Sequence, residues 1–469
     1  MKDYFIPHNF KDNGKIAGIF EKRNFYLALF FFVPAVLLLV FTPLPLPINK
    51  AILVKVFVFI IVLCPPTILT SLGYSDILFF MHDFNKRKGV YKKNSVDNPK
   101  SKFKYSDFFS VKRIVKGNVQ LSDGNYVRIL EIEPVNFKLK SNSEKEGIIL
   151  GFQEFLKSLG LDFEITVLTQ KADTMPYIEM LNNKKKEEKD ANIKTMIGAY
   201  ADFVGEMQEH GAVTRKFILS YTYKPKYTGK AKNAETPLAV VDKYFIDMDE
   251  RIKEYLTTCG NRPITADDVD FKIAQILNSA FCRKNDDFEP IDSSLWGKDD
   301  YLDAILPDEI DVTNPGYIKV DNKFISTIVI NTIPYYIQSG FLEDLVCFGE
   351  GVNVNIYYRY SNPAQVSKDI NMAIGYTKVK RKHAGENQND IDTIDNCLDH
   401  AKYIRKKMSE NEKLYYVSII VSVCADDAEE LEQRLQNVEA KVLSKTMECR
   451  RADFLQSRAY IRTLPLNIL

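Results

Sequence analysis

This chain lacks an excess of either charge: 63 lysines and arginines stand against 62 aspartates and glutamates in 469 residues, a formal net charge of +1. No global field that would draw the protein onto nucleic acid follows from that balance. Histidine is scarce, at five, and the seven cysteines (64, 259, 282, 347, 397, 424 and 449) are scattered, with no C-x-x-C. They give neither a zinc spacing nor a disulfide framework, so reduced thiols are the expected state. Phosphate loops are absent too. The Gly-Lys pairs at 14–15, 229–230 and 297–298 lack both the upstream glycine and the following serine or threonine of a P-loop. No G-x-G-x-x-G opens a helix, and no G-x-S-x-G elbow occurs. The sequence therefore predicts no catalytic, cofactor-binding or metal-binding residue, no cofactor, and no enzymatic activity of its own.

What the chain has in quantity is a greasy N-terminal block. Residues 25–44 carry no charge, and residues 51–73 are apolar except for Lys55, with a proline-rich turn between the two runs. Each run is long enough to cross roughly 30 Å of hydrocarbon as a helix. Lys11, Lys15, Lys22 and Arg23 precede the first run, and Lys86, Arg87, Lys88, Lys92 and Lys93 follow the second. The positive-inside rule then places both ends in the cytoplasm. The expectation is a transmembrane helical hairpin in a multi-pass protein of the cytoplasmic membrane. Pro34, Pro65 and Pro66 are read as tolerated kinks.

Over the whole chain, 45% hydrophobic and 27% charged residues fit a folded protein. Alternation at 118–121 and 126–132 around Ser122-Asp123-Gly124-Asn125 reads as a β-hairpin. An apolar stripe over 143–159, stopped by Gly160, reads as a helix. Residues 162–170 read as a strand, 176–209 as a long polar helical region, and 215–223 as another strand. Helices near 236–258 and 265–282 follow. The second half repeats this order, with a hairpin at 317–330, strands at 352–359 and 415–424, helical sequence from Asn362-Pro363 to about 410, and a last helix capped by Asp426 with Glu429. The predicted fold class is α+β, an N-terminal membrane hairpin followed by a duplicated cytoplasmic α+β module. The expected domains are a hairpin domain (1–85), a basic linker (86–104), a first module (105–290), an acidic linker (291–316) and a second module (317–469).

Several clusters invite a functional reading, and each has a plainer one. The run Lys378 to His383 reads as a solvated basic face before it reads as a contact for DNA, lipid or an acidic partner. His400 is a lone histidine on a helix. Lys184 to Lys189 is mixed in sign and reads as a solvated helix face. Asp299, Asp300, Asp303, Asp308, Glu309 and Asp311 could bind a divalent ion, but fit no EF-hand spacing and read as a solvated loop. Trp296 reads as a packing anchor.

Two stretches resemble known families. The N-terminus, from Tyr4-Phe-Ile-Pro-His-Asn9 to Phe84-Asn-Lys-Arg87, resembles the small PrgI-type membrane proteins of Gram-positive conjugative elements. The block from Ser110-Val-Lys-Arg-Ile-Val-Lys-Gly117 through Asp123-Gly124 to Leu168-Thr-Gln-Lys-Ala-Asp173 resembles the N-terminal region of the TraC/TrbE/CagE secretion ATPases. So does the end, Asp453-Phe-Leu-Gln-Ser-Arg458 with Arg462-Thr-Leu-Pro-Leu-Asn467. In that family the leucine-proline segment leads into a P-loop motor, which implies that a motor lies on a separate chain or that this sequence is a fragment. The resemblance implies a membrane-anchored docking subunit of a conjugative type IV secretion system. Its expected partners are the cytoplasmic membrane, channel subunits, a P-loop ATPase in trans (with 458–469 as the contact) and further copies of itself. Nucleic acid is left unassigned. A platform half of an ATPase assembled in trans, and a tethered binding or sensor module unrelated to secretion, are the alternatives.

Overall fold

The computed structural model describes residues 74–93, 103–172, 174–209, 213–225, 238–283, 301–334, 336–383, 388–410 and 412–468, with short pieces at 4–5, 15–16, 20–21 and 54–55. Three two-residue strands come first, β1 (Tyr4–Phe5), β2 (Lys15–Ile16) and β3 (Phe20–Glu21). Helix α1 (Tyr74–Arg87) and β4 (Val90–Lys92) follow.

Among the described residues no helix is long and apolar enough to cross a membrane. Helix α1 has 14 residues, about 21 Å at 1.5 Å per residue, short of the ~30 Å hydrocarbon layer. It also carries Asp76, Asp83, Lys86 and Arg87. The transmembrane hairpin and the multi-pass membrane location expected from the sequence are corrected accordingly. The described residues supply no membrane-crossing helix, and the runs 25–44 and 51–73 lie, apart from 54–55, outside them.

The fold is α+β, built on a 13-stranded sheet with antiparallel pairings. After β5 (Val111–Val115), a hairpin of β6 (Asn118–Leu121) and β7 (Tyr126–Glu133) leads to α2 (Asn142–Leu159) and β8 (Phe163–Lys171). A helix pair, α3 (Met175–Glu187) and α4 (Ala191–Glu209), precedes β9 (Val213–Tyr223), α5 (Leu238–Thr258), β10 (Arg262–Pro263) and α6 (Val269–Cys282). Past α7 (Tyr301–Ile305) and β11 (Glu309–Asp311) comes a second hairpin, β12 (Ile318–Val320) and β13 (Lys323–Thr332). Then follow β14 (Tyr336–Ile337), α8 (Glu343–Val346), β15 (Val352–Tyr360), a second helix pair α9 (Pro363–His383) and α10 (Gln388–Ser409), and β16 (Tyr415–Ala425). Helix α11 (Ala428–Ser444), β17 (Glu448–Arg451) and α12 (Gln456–Ile461) complete the order.

The central six strands run β13-β16-β15 and then, in mirrored order, β8-β9-β7; β17 pairs with β13 as β10 pairs with β7. The halves meet where β8 and β15 pair antiparallel, Val167 opposite Val354 and Ile165 opposite Ile356. Local chemistry fixes the ends of the elements. Ser141 accepts from the Glu144 amide while the Glu144 carboxylate accepts from the Ser141 amide at 2.9 Å, a capping box at the start of α2. Asp427, one residue later than the sequence suggested, caps α11 by accepting from the Glu430 amide at 2.7 Å.

Strand alternation gives the sheet two chemically different faces. On one, Val354, Ile419, Val421 and Val423 pack against Leu431, Leu435 and Val438 of α11, and Leu219 and Tyr221 pack against Phe155 of α2 and Phe245 of α5. The strand positions between them carry buried polar residues, among them Glu164, Thr166, Ser220, Asn355 and Ser422. By contact density the chain forms two compact units, one of Met1–Ile6, Arg87–Asn362 and Asn411–Leu469, the other of Pro7–Lys86 and Pro363–Glu410. The sheet belongs to the first.

Candidate functional site

The clusters weighed in the sequence are placed as follows. Residues 378–383 close α9, where Arg381 meets Asp395 of α10 at 3.0 Å. His400 lies on α10. Asp303 lies on α7, Glu309 pairs with Lys92 at 2.9 Å, Asp308 faces Lys93 at 3.9 Å, and Asp311 accepts from the Thr313 amide. Asp299, Asp300 and Trp296 are outside the described residues. Among the described residues no group of three or more histidine, cysteine, aspartate or glutamate side chains could hold a metal ion.

Two features that the sequence reading missed stand out. The first is Glu164, wholly buried at the junction of the halves. Its carboxylate accepts from the Thr166 hydroxyl at 2.8 Å, the Asn355 amide at 2.7 Å and the Asn467 backbone amide at 2.8 Å. Those donors come from β8, β15 and the segment after α12. Burial nevertheless prevails over these bonds and pushes the carboxyl up to about 7. The segment it holds lies on the polar sheet face: Thr463, Leu464 and Leu466 are wholly buried. Tyr357 donates to the Arg462 carbonyl, and Asn355 to the Thr463 carbonyl at 3.2 Å. Arg283, buried beside the Tyr460 ring, donates to the Thr463 hydroxyl, and among the described residues its Nε and Nη1 have no hydrogen-bond partner. The stretch 458–469, read from sequence as the contact for a motor, is thus packed through residue 468 against the sheet.

The second feature is the outer face of the α3–α4 pair. At about 100° per residue, Ile193, Met196, Tyr200 and Phe203 fall within about 80° of one another on α4. The adjoining arc, Ile197, Ala201 and Val204, is the one turned inward, with Ala201 and Val204 buried. Helix α3 covers that inner arc; Ile178 reaches Gly205, and Leu181 is buried. The outer arc stays open. Its four residues, with Tyr177 and Met180 of α3, are 40–68% exposed. Tyr177 meets Tyr200 edge-on at 6.3 Å, and Tyr200 stacks on Phe203 at 6.4 Å, so the side chains form a ladder. Hydrogen bonding to Tyr200 raises the Tyr177 phenol above its ordinary value. Aromatic and methionine side chains, free of charge and next to one another, have the composition of a protein-docking surface. The signal was in the sequence: the apolar arc of α4 is wider than one partner helix can cover.

Residues 112–250 match the protein-family model described as "Archaeal TraC-like domain". The match runs from β5 into α5 and so contains the α3–α4 pair and Glu164. It supports a relation of this region to the N-terminal part of TraC/TrbE-type secretion ATPases, and does not extend to 4–87, where the PrgI-type resemblance lay. No curated protein matches the chain.

Proposed function

We propose that this protein is a non-motor docking component of a type IV secretion-related ATPase machine, a platform that engages a P-loop motor and other components of that machine without catalysing chemistry itself. The observation that carries the reading is the open apolar face of α3–α4, which lies inside the TraC-like match. A cluster of exposed aromatic and methionine side chains on a hairpin held by its own inner core is built to bind protein. The sequence offers no amide cradle with a lysine to neutralise ATP phosphates, which favours a motor supplied in trans.

The test uses the purified full chain and a P-loop ATPase of the TraC/TrbE type encoded in the same genome. Alone, the chain is expected to show no magnesium-dependent ATP turnover. With the P-loop protein it is expected to form a complex that alters that protein's turnover. Turnover by this chain in a preparation free of other P-loop proteins would sink the proposal.

A further inference from the structure

We infer that the open face of α4 is a self-association surface, and that its occupant is the same face of a second copy of this chain, related by a two-fold axis that passes between the two α4 helices at the level of position 198. The inference rests on the docking reading above and names the partner at that face. Three observations support it.

The stripe is arranged symmetrically about the middle of the helix. Ile193 and Phe203 are equally far from position 198, and so are Met196 and Tyr200. Two copies laid antiparallel therefore put Ile193 of one against Phe203 of the other, and Met196 against Tyr200, twice over. The second pairing sets a thioether on an aromatic ring, a favourable contact, and the arrangement is the isologous one that closes a dimer.

The stripe also carries no charge between its ends. A partner recognised by opposite charge would need a charged target; a face paired with itself needs the reverse, so that no like charges meet at its centre. The area fits as well. Six large side chains about half exposed offer roughly 600 Å², against the ~800 Å² per partner of a standard interface. The polar rim supplies the remainder.

Sedimentation of the full chain across about 1 to 100 μM is expected to show a concentration-dependent dimer. Met196→Glu with Tyr200→Glu is expected to weaken it at least tenfold while the chain stays folded by circular dichroism and keeps a cooperative melt, since neither position is buried in the single chain. Mixing Met196→Cys chains with Tyr200→Cys chains under mild oxidation is expected to give more cross-linked dimer than either alone, with the wild type and its native cysteines as the control. A wild type that stays monomeric, or a dimer indifferent to the double substitution, overturns the inference. If the wild type is monomeric yet the double substitution abolishes binding to the P-loop protein, the named occupant is wrong and the docking reading stands.

Discussion

Glu164 shows how one residue can be plain in the sequence and misread there. The segment 162–170 alternates, with Asp162, Glu164, Thr166 and Gln170 on one side, and alternation of that kind normally marks a face turned to water. Here the polar side is covered by the segment after α12, so the carboxylate is buried against Thr166, Asn355 and Asn467. Its folded pKa, about 7, lies above the ordinary 4.5. The folded chain thus holds this proton more tightly than the unfolded one does. The stabilisation is complete below about pH 4.5 and is lost as pH rises through 7, roughly 3 kcal/mol over the window. Glu164→Gln, which keeps shape and cannot ionise, is expected to remove that slope; urea midpoints of both proteins at pH 5 and pH 8 report it, and parallel slopes would show the burial account to be wrong. Gly351 makes a second residue-scale case. Its φ is +75°, and a Cβ there would run into the Cys424 carbonyl oxygen. Gly351→Ala is expected to cost about 1–3 kcal/mol, measured by chemical denaturation.

At the scale of elements, signals carried by neighbouring residues were legible and those set by distant ones were not. The helix expected over 143–159 with a glycine stop is α2, Asn142–Leu159, with Gly160 at φ +60°. The strands expected at 162–170 and 352–359 are β8 and β15 within a residue. The region 176–209, read as polar, is two helices with an apolar inner seam and an apolar outer stripe. The segment after α12 had no local signature, because its role is set by the strands beneath it. Its anchors are Leu464 and Leu466, which with Tyr460 in α12 are wholly buried. Leu464→Ala is expected to destabilise by about 2–5 kcal/mol, the usual cost of a core cavity. Removing 458–468 would therefore unfold the sheet face and not simply detach a partner; a truncated chain that melts like the parent would contradict this placement.

For the whole molecule, the order of elements repeats along the chain, yet what joins the halves is a sheet that one-dimensional reading could not see. Hydropathy likewise says which residues avoid water but not what covers them, which is why the apolar runs at 25–44 and 51–73 suggested a membrane that no described helix crosses. At the junction, β8 and β15 exchange a ladder from Val167–Val354 to Phe163–Tyr358, whose rings stack at 4.5 Å. Asn467, far along the chain, donates to Glu164, to the Asp162 carbonyl and to Thr222 in the first half. Separating residues 105–290 from 317–469 would leave β8 and β15 as two bare hydrophobic edges, the template for aggregation, and would strip the cover from Glu164. Each fragment alone is expected to lack a cooperative melt and near-ultraviolet dichroism, and the two expressed together to restore both. A fragment 105–290 that melts cooperatively by itself would mean that the halves fold first and the junction forms afterwards. Failure of both, with recovery only in the pair, would make the β8–β15 ladder the step on which the whole sheet depends.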